Sequence, residues 1–257
     1  MNVRHIGYAI AVALIAAAPA AAQWLKHPTA GIPRHADGTP NLSAPAPKRA
    51  DGKPDISGLW RPAIVLVGDI AANLPPGSVP FQPWAEKLYK ERRANNSRDD
   101  PTASCIVGGV PRSDLVPYPF KILQLPEMVV ILYEAVHSYR QIFTDGRALP
   151  KQGEPQPWWY GYSVGRWEGD TLVVESNNFR DDQWLDIIGS PMTDAARVVE
   201  RFRRVNFGRM EIDITIEDSK AYTRPWTVRH NQSLILDEDL IEFVCLENQR
   251  FGKPEPN

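Results

Sequence analysis

Histidine and cysteine are scarce in this chain, with five histidines and two cysteines among 257 residues. A zinc centre needs three or four convergent ligands, usually with two of them at short spacing. Here the body of the chain offers only His137 and His230, while His27 and His35 lie in the N-terminal arm. No metal is expected, and no motif points to any other cofactor. An excess of charge of one sign is missing too: 29 basic residues are interspersed with 31 acidic ones, for a net charge of −2. That excludes a basic stripe for nucleic acid and a polybasic patch for a membrane surface. Small molecules and proteins are left as partners.

Long apolar runs are confined to the start. Arg4 makes a short basic region, Ile6–Ala18 an apolar one, and Ala20-Ala21-Ala22 a small-residue cleavage pattern. The stretch falls short of the about 20 strongly apolar residues of a membrane span. It reads as a signal peptide over residues 1–22, with a mature start near Gln23 and a periplasmic or secreted destination. In an oxidising compartment Cys105 and Cys245 read as a disulfide, stapling a pre-barrel segment to the last strand. The alternative is two buried thiols acting as small hydrophobes.

Residues 23–118 are rich in proline and poor in periodicity, and form an extended arm. Within it, 35–43 and 49–57 repeat at an offset of 14 as Asp-Gly-x-Pro units. Such units are turn chemistry: glycine takes a positive φ and proline blocks helix. One helix is expected over 83–95, with Pro83 in its first turn and Trp84, Leu88 and Arg92 on one face.

After Tyr118 nine runs rich in β-branched and aromatic residues follow: Phe120–Leu125, Met128–Ala135, Tyr139–Thr144, Tyr160–Trp167, Thr171–Ser176, Val198–Val205, Met210–Glu217, Trp226–Leu236 and Leu240–Glu247. Most links between them are short, and short links join antiparallel neighbours. The expected fold is therefore mainly β: an antiparallel up-and-down β-barrel over 119–250, lipocalin-like in outline. The period of two puts Trp226, Val228, His230 and Gln232 on one face of their strand, and Met210, Ile212, Ile214 and Ile216 on one face of theirs. In Val198–Val205 either Glu200 or Arg201 points inward. Glu242 shares a face with Leu240 and Val244, although the opposite face is apolar as well.

Several long segments resemble a family of exported bacterial proteins. They are Asp-Gly-Lys-Pro-Asp-Ile-Ser-Gly-Leu-Trp at 51–60, Tyr-Arg-Gln-Ile-Phe-Thr-Asp-Gly-Arg at 139–147, Ser-Val-Gly-Arg-Trp-Glu-Gly-Asp-Thr-Leu-Val-Val-Glu at 163–175 and Glu-Arg-Phe-Arg-Arg at 200–204. The resemblance implies a shared fold and export, and carries no activity and no catalytic residue.

Three constellations bear on function. Gly161-Tyr162-Ser163-Val164-Gly165 matches the nucleophile-elbow pattern, but that motif works where a strand turns into a helix, and here the chain runs on into a hairpin. Aromatics crowd the same hairpin: Trp158, Trp159, Tyr162 and Trp167, with Trp184 and Trp226 elsewhere. They could stack a small apolar or aromatic ligand, or simply fill the barrel. The third set is polar. Tyr139, Arg140 and Arg201 are candidate ligand contacts. His230, with Glu200, Glu242 or Asp186 beside it, is the candidate acid–base pair of an isomerase or lyase type of reaction. A buried register-setting ion network is the alternative, as is a non-catalytic envelope scaffold that docks a protein. Asp181–Ser190 is either a lid or a surface connection.

Overall fold

The structure, a computed structural model, describes residues 28–63, 68–154 and 156–245. The expected signal segment, Trp24, His27 and the last two residues of the run 240–247 lie outside the described residues. The strands in chain order are β1 (Gly58–Pro62), β2 (Phe120–Gln124), β3 (Met128–Tyr133), β4 (Ser138–Phe143), β5 (Tyr162–Glu168), β6 (Thr171–Asn177), β7 (Gln183–Trp184), β8 (Pro191–Met192), β9 (Arg197–Asn206), β10 (Arg209–Glu217) and β11 (Trp226–Ile235). Nine of them close into a barrel in the order β1-β11-β10-β9-β6-β5-β4-β3-β2, while β7 and β8 pair only with each other.

A ring of nine strands cannot be antiparallel throughout, because alternating directions return to their start only after an even number of steps. One neighbouring pair must run parallel, and here it is β4 and β5. The expectation of a purely antiparallel meander is corrected on this point. The connection across that pair, residues 144–161, has the length a parallel crossover needs.

The second correction concerns what closes the ring. Residues 240–245 are irregular rather than a tenth wall strand, because the free edge of β11 is already taken by β1, with Leu59 opposite Ile235 and Pro62 opposite Gln232. The arm thus contributes a wall strand, and the barrel does not begin at residue 119. Of the apolar side chains after Leu240, Phe243 packs outside, 4.9 Å from the ring of Tyr118, while Ile241 and Val244 are exposed. Glu242 is exposed there, far from an inner face.

The arm is ordered turn chemistry. In both copies of the repeat, the residue at the start of the turn bonds across it (His35 N to Thr39 O and Arg49 N to Lys53 O, both 2.9 Å). The aspartates at 37 and 51 accept from the amides of Thr39 and Lys53. Downstream, the arm is fixed to the barrel by Arg204, whose guanidinium donates to Asp55 O at 2.6 Å and lies 5.0 Å from the Trp60 ring.

Helix α1 (Pro83–Ala94) starts at Pro83 as expected and carries Glu86–Lys90 and Glu91–Lys87 pairs on its wet side. Its packed face keeps Arg92 of the expected set and adds Ala85 and Tyr89, while Trp84 is exposed. Ala85 is buried, Tyr89 stacks on Phe81 at 5.0 Å, and Arg92 lies 4.2 Å over Trp184. Trp84 sits at the rim, donating from Nε1 to Lys220 O. Small alanine allows the helix to approach, which the larger Trp84 would not.

The interior is filled. Trp60, Phe120, Ile122, Val129, Ile131, Ile142, Leu172, Val174, Phe202, Met210, Ile212, Ile214 and Val228 form one buried cluster. The lipocalin likeness therefore stops at the closed wall, since this core is packed and not a calyx for a guest. Alternation selects Glu200 as the inward residue of β9, and Arg201 is outside, paired with Glu168 at 2.9 Å. None of the helices among the described residues is long and apolar enough to cross a membrane.

Cys105 and Cys245 form a disulfide, with Cα atoms 5.9 Å apart across 140 positions of sequence; Cys245 reaches it from irregular chain and not from a strand. Changing both cysteines to serine is expected to lower stability by roughly 2–5 kcal/mol, since the unfolded chain regains the freedom of a very long loop. An unchanged midpoint of chemical denaturation would sink that expectation.

Candidate functional site

Period-two alternation on β3, β4, β5, β6 and β9 sends Tyr133, Arg140, Ser163, Ser176 and Glu200 to the inside, where they meet. Arg140 donates from Nη2 to a Glu200 carboxylate oxygen and to Ser176 Oγ at 2.9 Å, and from Nε to Ser163 Oγ at 3.1 Å. The two serine hydroxyls bond to each other at 2.8 Å. Ser163 is thus a mid-strand hydrogen-bond partner and not a nucleophile at an elbow. A sixth charged or hydroxyl group comes from the arm: Asp114, on a short 3-10 turn (Arg112–Asp114), is fully buried beside them. Tyr133 donates to its Oδ1 at 2.8 Å, Arg140 Nη1 stands 3.8 Å from its Oδ2, and Gln232 donates to its backbone carbonyl at 3.0 Å.

Two carboxyl groups and one guanidinium share this space. Asp114 Oδ2 and Glu200 Oε1 are buried with no hydrogen-bond donor among the described residues. Burial, and then the neighbouring charge of Glu200, push the Asp114 carboxyl from the ordinary aspartate range up to about 8. At neutral pH it is a neutral acid, able to donate where an ionised one would repel. Burial works against the charge of Arg140, but Glu200, Tyr133 and Asp114 more than offset it and raise its pKa. Burial raises that of Tyr133 as well.

His230 is on the inner face of β11, as the alternation requires, but stands alone. No carboxylate lies within ion-pair distance of it among the described residues, and its Nε2 has no hydrogen-bond partner. Burial drives its pKa down to about 4, so it is neutral and apolar in effect. The expected histidine–carboxylate pair is not formed. Asp186 is buried elsewhere, accepting from the amides of Ile70, Gly189 and Ser190 and from the Ser190 hydroxyl. It pins the β7–β8 ribbon, which makes Asp181–Ser190 a packed connection and not a lid.

Outside the wall, a cleft of about 250 Å³ lies over the seam between β4 and β5, lined by Tyr139, Arg140, Gln141, Phe143, Trp158, Trp159, Tyr160, Gly161 and Ser163. Four of the expected ligand contacts therefore converge: Tyr139, Arg140, Trp158 and Trp159. Tyr139 and Trp158 are 63% and 47% exposed, whereas Arg140 and Ser163 form a buried floor. Tyr160 closes one side, its hydroxyl 2.6 Å from Ser138 Oγ and 3.1 Å from Ser113 Oγ, with its ring stacked 5.3 Å from Tyr133. Tyr162 stands next to the cleft on the outer face, stacked on Phe143 and accepting from Arg147. The other expected contacts are elsewhere. Trp167 is half-buried against the core, Trp184 is under Arg92, Trp226 packs on Tyr222 at 5.3 Å, and Arg201 is on the far outer wall.

No protein-family model matches the chain, and no curated protein matches it. Among the described residues no group of histidine, cysteine, aspartate and glutamate side chains could hold a metal ion.

The buried acids make opposite predictions. Because Asp114 has its folded pKa raised above the unfolded value, its contribution is full below about pH 4 and is lost as pH climbs to about 8. Asp114→Asn keeps the acceptor for Tyr133 and stays neutral, so its stability relative to wild type should rise between about pH 5 and about pH 8. Glu200→Gln removes the carboxylate bonded to Arg140 and leaves only Asp114, 3.8 Å away, to compensate it, and should cost up to about 3–5 kcal/mol. Urea midpoints that shift alike for both variants, with no pH dependence, would refute the assignment of the proton to Asp114.

Proposed function

We propose that this protein is a binding protein whose ligand presents a planar aromatic or apolar group to the cleft over the β4–β5 seam. One observation carries the reading: five aromatic rings around a cleft whose floor is a buried guanidinium and a serine hydroxyl. Apolar walls with a few fixed polar groups are the usual makeup of a small-ligand site, and two of these rings, those of Tyr139 and Trp158, remain exposed. Acid–base catalysis by His230 has no support of this kind, as His230 neither lines the cleft nor touches a carboxylate. The proposal extends to location. The disulfide fits an oxidising compartment, in keeping with the export that the N-terminal pattern and the resemblance to exported bacterial proteins imply.

Titration of the mature protein with 2-naphthol or N-acetyl-tyrosinamide should move the NMR signal of the Trp158 indole and raise the melting temperature. Trp158→Ala should weaken binding by roughly three- to tenfold, the worth of one aromatic contact. If neither compound perturbs Trp158 at millimolar concentration, the cleft is not a binding site for such groups.

A further inference from the structure

We propose that the natural occupant of the cleft is an extended peptide segment, added as a strand to the open edge of β4. This rests on the binding reading above and names the class of ligand.

The argument starts from how little of the seam is paired. On one side β4 matches β3 over its whole length, from Met128 opposite Phe143 to Tyr133 opposite Ser138. On the other it matches β5 at two positions only, Ile142 with Ser163 and Phe143 with Val164. Below Ile142 the chain that would continue the ladder turns away. Trp158 N bonds Asn178 O and Arg180 N bonds Trp158 O, each at 3.0 Å, and Trp158 bridges Phe179 in parallel. Gly161 fixes this detour: it sits at a φ of +62°, and a Cβ there would meet Asn177 O at 2.6 Å. The segment Trp158–Gly161 therefore belongs to the end of β6, and Tyr139–Gln141 faces the cleft with no strand beside it among the described residues.

An unpaired edge presents amide and carbonyl groups at strand spacing, and proteins normally guard such edges with proline, lysine or inward charge that faces the newcomer. Ser138-Tyr139-Arg140-Gln141 lacks the first two of these guards. It holds no proline or lysine, and the one charge, Arg140, is turned inward and bound to Glu200. The open stretch is about 10 Å long at strand rise, enough for three or four residues of an added strand. An incoming backbone would bond to the edge, and one of its alternate side chains would fall between Tyr139 and Trp158.

The test compares three probes on the mature, disulfide-bonded chain: N-acetyl-tyrosinamide, a pool of capped pentapeptides with central tyrosine and randomised neighbours, and the same pool with methylated backbone amides. The expected result is that the unmethylated pool contains peptides binding about tenfold or more tighter than N-acetyl-tyrosinamide, and that methylation removes this gain. These peptides should also slow hydrogen exchange at the backbone amides of Tyr139–Gln141. If N-acetyl-tyrosinamide binds but no peptide exceeds it, or methylation changes nothing, the peptide proposal is overturned and the cleft reading stands. If nothing binds, both fall. Self-association that protects the same amides would assign the edge to a second copy of the chain, and would equally overturn the proposal.

Discussion

A closed wall with an odd number of strands has one place where direction fails to alternate, and the rest of this molecule is arranged around that place. A parallel neighbour cannot be reached by a hairpin, so the chain between β4 and β5 has to travel across residues 144–161. That long path brings Trp158, Trp159 and Tyr160 over the outside of the wall. It also leaves the β4–β5 ladder short, because the returning chain bonds to Asn178 and Arg180 before it reaches its neighbour. Cleft, aromatic walls and open edge are three consequences of one topological constraint.

The short ladder raises the question of what keeps the two strands together where few backbone bonds do so. The answer is on the inside. Arg140 of β4 reaches Ser163 of β5, Ser176 of β6 and Glu200 of β9, so a single guanidinium ties four strands on both sides of the seam. A buried charge is costly unless it is paired and hydrogen-bonded, and the arrangement meets that condition by keeping a proton on Asp114. The neutral acid leaves one carboxylate opposite one guanidinium, which the low dielectric of the interior favours over a site with two negative groups.

Much of this architecture was legible in the sequence. Eight of the nine expected strands are present, because alternation and short turn links are local signals, and His230 and the inward residues of β10 follow from the same period, whereas the mixed faces of β9 left Glu200 and Arg201 undecided. What failed was non-local. Nothing in the run 240–247 tells that β11 already has a partner in Gly58–Pro62, and a five-residue strand inside a proline-rich arm carries no periodicity of its own. Asp114 was invisible for the same reason: it sits on an irregular turn, and only the tertiary fold brings it to Arg140. The aromatic cluster was readable as composition, and half of it converges as expected. Trp167, Trp184 and Trp226 instead fill space, a difference that depends on which side of a wall each ring lands.

The two halves of the outer wall differ in charge. Over β5, β6, β9, β10 and β11 the outward side chains are cross-strand ion pairs. Arg197 bridges Glu175 and Glu217 at 2.6 and 2.7 Å, Arg201 meets Glu168, and Arg229 meets Asp213. Such a surface is well hydrated, and its charges are already matched to one another. Over β2, β3 and β4 the registers instead line up Leu123, Val130 and Gln141 in one outward row, and Lys121, Leu132 and Tyr139 in the next. Leu123 and Tyr139 are exposed there. Lys121 and Gln141 interrupt these rows, so this face is less charged than the other without being apolar throughout. The cleft opens at the border of this less charged face, beside Tyr139 and Phe143.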